Sequence, residues 1–256
     1  MEELDVSPVS IGWIVFACVF GGAMTGMALR LILPEHHLSA DSKDVIKMGT
    51  GLTATMAALV LALLIASAKS SYDAQRNEVT QISANVILLD RVLAHYGPET
   101  KATRDLLHRY VARAHDQLWL GSRSGPAELE PAAALGERYY DEVQELSPQN
   151  EIQRSLQAQA LKMSMDLAQT RWLLFEQSGS SIPMPFLVLL VFWVTIIFLS
   201  FGLFAPANAT VIATLFLCAL SVSGAIYLIL ELDRPFAGLL QLSDATLRNA
   251  IAHLGR

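Results

Sequence analysis

The feature that most constrains the fold of this chain is a run of fifty-four consecutive residues without a charged side chain, from Gln177 to Leu230. A helix needs about 20 mostly apolar residues to cross the ~30 Å hydrocarbon core of a bilayer, so this run suits two spans rather than one. Pro206 and Asn208, near its middle, are typical of a tight turn. We therefore predict a transmembrane hairpin with helices over about Pro183–Phe204 and Ala209–Leu230.

Two further apolar stretches lie nearer the N-terminus. An uncharged run ends at Arg30 and predicts helix one over about Val9–Leu33, while Met48–Ala68, bracketed by Lys47 and Lys69, predicts helix two. The whole chain has 53% hydrophobic and only 16% charged residues, against about 25% charged residues in a typical soluble domain. The sequence therefore predicts an integral membrane protein with four spans.

Several classes of function are disfavoured. A net charge of −6 argues against a nucleic-acid partner, and Cys18 and Cys218 both lie in apolar runs, which argues against a disulfide framework or a thiolate metal site. The chain contains no GxGxxG, HExxH, GxSxG or CxxC motif. His108 and His115 have a spacing that could ligate a metal, but such pairs more often mark a solvated helix face. We expect neither an enzyme nor a cofactor.

With four spans, both termini and the long central segment lie on the same side of the membrane. Positively charged residues near the ends of spans favour the cytoplasmic side. Seven lie on the shared side and three on the other, although the N-terminal tail has no basic residue. We therefore expect cytoplasmic termini and a cytoplasmic central segment. The shared-side residues are Lys69, Arg76, Lys162, Arg171, Arg234, Arg248 and Arg256, against Arg30, Lys43 and Lys47.

The central segment reads as helical throughout. Its first apolar stripe has 3-4-3-4 spacing and stops before Gly97-Pro98; its residues are Val79, Ile82, Val86, Leu89 and Leu93. Further helices are predicted over about Glu99–Leu120, Pro131–Leu146 and Gln149–Glu176. The predicted fold class is all-α, a four-span membrane protein with a helical cytoplasmic domain between helices two and three. The domains are 9–68 for helices one and two, 69–181 for the cytoplasmic domain, 182–231 for the hairpin, and 232–256 for a cytoplasmic C-terminal helix.

Helix two has a face of small side chains. Small residues let helices approach closely in lipid, which is one interpretation. In the other, several subunits turn this face toward a shared axis, where it lines a pore with a basic ring at its mouth. A mirrored arrangement, in which the leucines of the opposite face form the constriction, is a third possibility. The candidate pore-lining residues are Gly51, Thr55, Ala58, Ala62, Ala66 and Lys69.

Two carboxylates follow helix four closely. Glu231 and Asp233 are two residues apart at a helix end and could offer oxygen ligands to a hard cation. They could equally be paired with Arg234 or Arg76. We therefore treat them as a candidate gating or cation site and leave the metal undefined.

Two segments of the chain resemble signatures of the bestrophins, which are pentameric chloride channels with four spans. After helix two, Lys69–Glu78 resembles the Ser/Tyr-to-Arg-and-Glu segment that follows the bestrophin pore helix. After helix four, Asp233–Gly238 resembles the bestrophin Asn-Pro-Phe-Gly element. The residues that carry these likenesses are Tyr72, Arg76, Glu78, Pro235 and Phe236.

Three other segments are similar to the bacterial bestrophin-like membrane proteins, a family of unknown function. They are Gly49–Thr55, Ile65–Ser71 and Leu88–Arg91, and the likeness spans nearly the whole chain. It implies a bestrophin-like fold and a bacterial inner membrane location. Two departures limit what it implies: the bulky neck positions of bestrophins fall on Ala58, Ala62 and Ala66, and the acidic run of the calcium clasp is missing.

The leading hypothesis is therefore a homo-oligomeric ion channel, pentameric and chloride-conducting by the resemblance, with helix two around the axis. Its expected partners are further copies of the chain, membrane lipids and small inorganic anions. The alternative is a membrane-embedded scaffold or signalling protein whose cytoplasmic helical bundle binds a partner. An oligomer with a water-filled axis would favour the channel, and a monomer or a dry dimer would favour the scaffold.

Overall fold

A computed structural model describes residues 7–34, 39–119, 130–176 and 182–255. Within these ranges the chain forms helices and no strand, which confirms the predicted all-α fold class. The α-helices are α1 (Pro8–Ile32), α2 (Ala40–Tyr96), α3 (Lys101–Trp119), α4 (Glu130–Gln144), α5 (Glu151–Glu176), α6 (Met184–Phe204), α7 (Ala209–Leu232) and α8 (Ala245–His253), with a 3-10 turn over Pro98–Thr100.

Four of the helices are long and apolar enough to cross a membrane: α1, α2, α6 and α7. The described ends of α1, α6 and α7 lie within two residues of those predicted from the uncharged runs. Two of these helices begin with a side-chain cap, since Ser7 accepts from the amide of Ser10 in α1 and Asn208 accepts from the amide of Val211 in α7. The chain is a multi-pass membrane protein.

Helix α2 differs most from its sequence prediction, because it extends well beyond the predicted span at both ends. It begins at Ala40, where Ser39 accepts a hydrogen bond from the amide of Ser42 at 3.3 Å. It continues through 57 residues because its C-terminal half contains neither glycine nor proline, and it ends at Gly97, whose φ of 148° precedes Pro98. At about 1.5 Å per residue it is about 85 Å long, far more than a bilayer requires.

The contacts divide the chain into two compact units. The membrane unit comprises the described residues of 1–71 and 180–233, and thus contains α1, the first part of α2, α6 and α7. The second unit comprises those of 72–179 and 234–256, and thus contains the rest of α2, α3, α4, α5 and α8. Each unit has a hydrophobic core of its own.

In the membrane unit, glycines bring α1 and α6 into backbone contact. A methyl group on Gly26 would lie 2.1 Å from the carbonyl oxygen of Leu199, and one on Gly202 would lie 2.0 Å from that of Ala23. Such small residues are typical of close helix pairs in lipid. Helix α1 also contacts α7, where the Ser223 hydroxyl donates to the carbonyl of Gly12.

Arg30, at the end of α1, forms a hydrogen bond with a backbone carbonyl group of the hairpin. Its guanidinium donates a hydrogen bond to the carbonyl oxygen of Ala205, the residue that follows α6. A helix C-terminus carries partial negative charge, so the cation suits this position. Arg30 therefore ties α1 to the turn of the α6–α7 hairpin.

The second unit buries the apolar stripe predicted for its first helix. All five stripe residues of α2 are 9% exposed or less: Val79, Ile82, Val86, Leu89 and Leu93. Leu107, Tyr110 and Val111 of α3 and Ala160, Leu167 and Leu174 of α5 are likewise buried. The second unit therefore has the helical core that the 3-4 spacing indicates.

The C-terminal segment is less helical than predicted. We expect a helix over 232–256, but among the described residues after Leu232, where α7 ends, only Ala245–His253 is helical. Pro235 has no amide hydrogen to donate to a helix, and Gly238 adopts a φ of 85°. Residues 234–244 therefore form an irregular strap.

Candidate functional site

All six predicted pore-lining residues lie on one helix and are exposed within the subunit. They are Gly51, Thr55, Ala58, Ala62, Ala66 and Lys69, all in the part of α2 that belongs to the membrane unit. Because α2 is unbroken there, their three- and four-residue spacing places them on one face. Whether this face lines a pore remains a prediction.

The side of α2 that packs inside the membrane unit is defined by three buried residues, Ala57, Leu64 and Ala68. They form a seam with seven- and four-residue spacing. We call the six predicted pore-lining residues the small row, and the large apolar residues on the other flank of the helix the bulky row. At about 100° per residue, the small row is centred about 140° from the seam in one direction, and the bulky row is centred about 130° from it in the other. The bulky row consists of Leu52, Met56, Leu59 and Leu63, exposed by 67%, 47%, 67% and 63%.

Three residues of these two rows lie almost directly opposite the buried seam. Thr55, Leu59 and Ala66 are each within about 20° of that direction, at the border between the small and the bulky rows. All three are exposed. The subunit thus leaves both rows of α2 outside its own core, and the part of the rows most distant from that core contains one threonine, one leucine and one alanine.

The threonine hydroxyls of α2 donate their hydrogens to protein atoms. Thr53 and Thr55 donate to the carbonyl oxygens of Gly49 and Gly51, each at 3.0 Å, and Thr50 donates to the hydroxyl of Ser200 at 3.4 Å. A hydroxyl in such a bond presents lone pairs rather than a proton to its surroundings. In this arrangement the three threonines present acceptors rather than donors to their surroundings.

Lys69 supplies positive charge where the membrane part of α2 ends. It is exposed, and Ser70 beside it is exposed as well. A lysine ammonium at such a position acts as a strongly hydrated point charge with three donors. Among the predicted pore-lining residues, Lys69 is therefore the one whose chemistry attracts anions.

The candidate cation site at the end of α7 consists of one buried and one partly buried carboxylate. Glu231 is 4% exposed and forms a hydrogen bond with the Tyr227 side chain one turn earlier. Asp233 caps α7, and its amide donates to the carbonyl of Ile229 at 3.2 Å. In the described part of the chain, no group of three or more histidine, cysteine, aspartate or glutamate side chains could hold a metal. The cation site remains a prediction.

The strap after α7 is anchored through its Pro-Phe pair. Pro235 and Phe236 are buried, and the Phe236 ring meets the Trp119 ring edge-on at 5.3 Å. The Trp119 indole N–H donates to the carbonyl of Leu242 at 2.9 Å, and the Leu242 amide donates to the carbonyl of Pro235 at 2.7 Å. These contacts hold the strap against α3. The other three motif residues lie on α2, where Tyr72 and Glu78 are partly buried and Arg76 is exposed.

His115 belongs to the same region, where it contacts two carboxylates. Its Nδ1 lies 3.1 Å from Asp116 and its Nε2 lies 3.4 Å from Asp244, which precedes α8. His108, the other histidine of the considered pair, is exposed. The structure thus does not bring the two histidines together as ligands, and it assigns His115 to the contact between α3 and the strap.

A buried ion pair in the second unit was not predicted. Asp90 is 2% exposed and accepts two hydrogen bonds from the Arg104 guanidinium, at 2.7 and 2.8 Å, and a third from the Gly255 amide at 3.3 Å. The hydrogen bonds that Arg104 donates to Asp90 hold the pKa of Arg104 above its usual range. Two features of the sequence could have indicated this ion pair: an aspartate beside the buried stripe, and an arginine just past the Gly97-Pro98 turn.

Comparison with known proteins gives one family and several similar folds. The sequence model of a family described as the Bestrophin-like domain matches residues 17–247. Among solved structures, a bacterial Bestrophin homolog from Klebsiella pneumoniae superposes with a TM-score of 0.64 at 14% identity, covering 91% of this chain and 95% of that chain. A variant of the same homolog gives a TM-score of 0.69 at 14% identity, covering 97% of both chains. No curated protein matches.

Proposed function

This chain belongs to the Bestrophin-like family, and from that premise we propose that it is a homo-oligomeric, anion-conducting channel whose pore is lined by the membrane part of α2. The observation that carries the proposal is the exposure of that helix. Only 17% of its most apolar window is buried inside the subunit, against 39%, 33% and 28% for α1, α6 and α7. The least buried span also has the small residues, glycines and threonines, that a purely lipid-facing helix does not need.

The packing of the other spans supports oligomerisation. Helix α1 contacts α6 and α7 through glycines and Ser223, so these three helices pack directly against one another. A conducting axis therefore requires several copies, each contributing its α2. Closed rings of identical subunits achieve this, and the likeness to bestrophins favours five. In this proposal the protein lies in a bacterial inner membrane, and its central segment lies in the cytoplasm.

The anion preference rests on charge at the mouth of the pore. With the threonine hydroxyls donating inside the protein, Lys69 is the pore residue that attracts an anion, and each copy adds one such ammonium to the ring. A cleft lined by one sign of charge raises the local concentration of the opposite ion. Chloride and other small inorganic anions are therefore the proposed substrates.

A Lys69→Glu exchange tests this proposal. Halide flux into liposomes that contain the purified protein is expected to fall at least about threefold, because the ring of charge at the mouth is reversed. The matched control is Lys101→Glu, which reverses an exposed lysine at the start of α3. Equal halide flux through Lys69→Glu and wild type would remove Lys69 from the mechanism. The absence of flux from folded, inserted wild-type protein would overturn the channel itself.

A membrane-embedded scaffold is the second candidate, favoured by apolar side chains on α5. Ile152, Met165 and Trp172 are exposed by 73%, 61% and 59% in the single chain. Exposed apolar groups of this kind suit a partner protein. A protein that purifies as a monomer or a dry dimer, inserted but without flux, would move the assignment to the scaffold.

A further inference from the structure

Beyond the membrane part, α2 presents a third exposed row. In the second unit, the buried stripe from Val79 to Leu93 faces the core. The opposite side of the same helix has 4-3-4-3-4 spacing, and every member of this row is exposed. We call it the outer row of α2; it consists of Asn77, Gln81, Ala84, Leu88, Arg91 and His95.

The outer row contains no acidic residue and has a basic end. Asp73, the nearest acidic position on this side of α2, lies four residues before the row begins, and Asp90 is buried against Arg104. Arg91 is exposed and forms no ion pair within the described part of the chain. Its guanidinium is always charged, so the row has a permanent positive charge near its C-terminal end.

We propose that Arg91 is a selectivity-determining residue that gathers anions on the cytoplasmic side of the pore. This inference rests on the proposed function, because it requires several copies of α2 around one conduction path. Each copy then adds a guanidinium at the same level. The row between Asn77 and Leu88 is uncharged, so an anion attracted by Arg91 meets no fixed negative charge from it.

The physical basis is electrostatic steering rather than a tight binding site. A ring of like charges raises the local concentration of counter-ions and their rate of entry, and it does so over about 8 Å at physiological ionic strength. Two consequences separate this role from a structural one. The effect of Arg91 must weaken as salt increases, and it must be larger for anions that leave the cytoplasm than for anions that enter it.

The experiment compares chloride currents of wild type, Arg91→Gln and Arg91→Glu in planar bilayers with one protein orientation. The matched control is Arg113→Glu, which reverses an exposed arginine on α3. In low salt, chloride efflux from the cytoplasmic side is expected to fall about threefold in Arg91→Glu and by less in Arg91→Gln. Near 1 M salt, where the Debye length is about 3 Å, the variants should approach wild type.

Three results would overturn the inference. Wild-type conduction by Arg91→Glu, in a protein that does conduct, would refute the role of Arg91 and leave the channel intact. A loss that is equal in both directions and at all salt concentrations would indicate a damaged fold and refute electrostatic steering by Arg91. Wild type without any current would refute the channel, and this inference with it.

Discussion

At the scale of single residues, the structure combines apolar seams with a few fixed polar contacts. The 3.6-residue period of the buried positions in α2 and α3 was predictable, because apolar residues recur in the sequence every three or four positions. Contacts such as Asp90 with Arg104 were not predictable. Their formation depends on the register at which two helices pack, and apolar spacing alone does not define that register.

The Asp90–Arg104 pair leads to a prediction about stability. An Asp90→Asn variant leaves the Arg104 guanidinium without its anionic partner. Removing one partner of a fully buried pair typically costs about 3–5 kcal/mol, and the 17% exposure of the Arg104 side chain makes the expected cost smaller. We expect a clearly lower thermal unfolding midpoint in detergent. The control is Asp105→Asn, an exposed neighbour of Arg104.

A second variant keeps this test informative. Replacing both partners by apolar residues, as in Asp90→Leu with Arg104→Met, removes the uncompensated charge and should recover part of the loss. A midpoint for Asp90→Asn that equals the Asp105→Asn control would show that the pair does not stabilise the unit.

At the scale of helices, hydropathy predicted the four spans and the ends of α1, α6 and α7 well, because crossing a bilayer sets a minimum length and composition. It did not predict where α2 begins, since that depends on the Ser39 cap, or that the strap interrupts the C-terminal helix at Pro235 and Gly238. Caps and positive φ values are local features that an apolar count does not register.

The close contact of α1 and α6 gives a prediction at this scale. Gly26→Ala should lower the thermal unfolding midpoint of the detergent-solubilised protein, because its methyl group would overlap the backbone of Leu199 and force the helices apart. Such overpacking costs about 1–3 kcal/mol. Gly21→Ala is the matched control on the same helix, since a methyl group there meets nothing within 4 Å. Equal unfolding midpoints for Gly26→Ala and Gly21→Ala would contradict the close contact between α1 and α6.

At the scale of the whole molecule, the sequence indicated the family and the number of spans. The family model confirmed the first, and four described helices long and apolar enough to cross a membrane agree with the second. The candidate site was predictable only as a helix and a set of exposed positions. Which row of α2 faces an axis depends on neighbouring copies, and a single chain does not contain that information. The structure narrows the choice to the faces away from Ala57, Leu64 and Ala68.

The measurement that tests the central claim most directly is thiol block of halide flux. Cys18 and Cys218 are first replaced by alanine, and single cysteines are then placed at Leu59, Ala62, Leu63 and Ala66 of α2. Val188 on α6, exposed by 66%, is the lipid-facing control. The account predicts rapid block by a charged thiol reagent at one or more α2 positions and none at Val188. Flux that continues unblocked at all four α2 positions would contradict a pore lined by this helix.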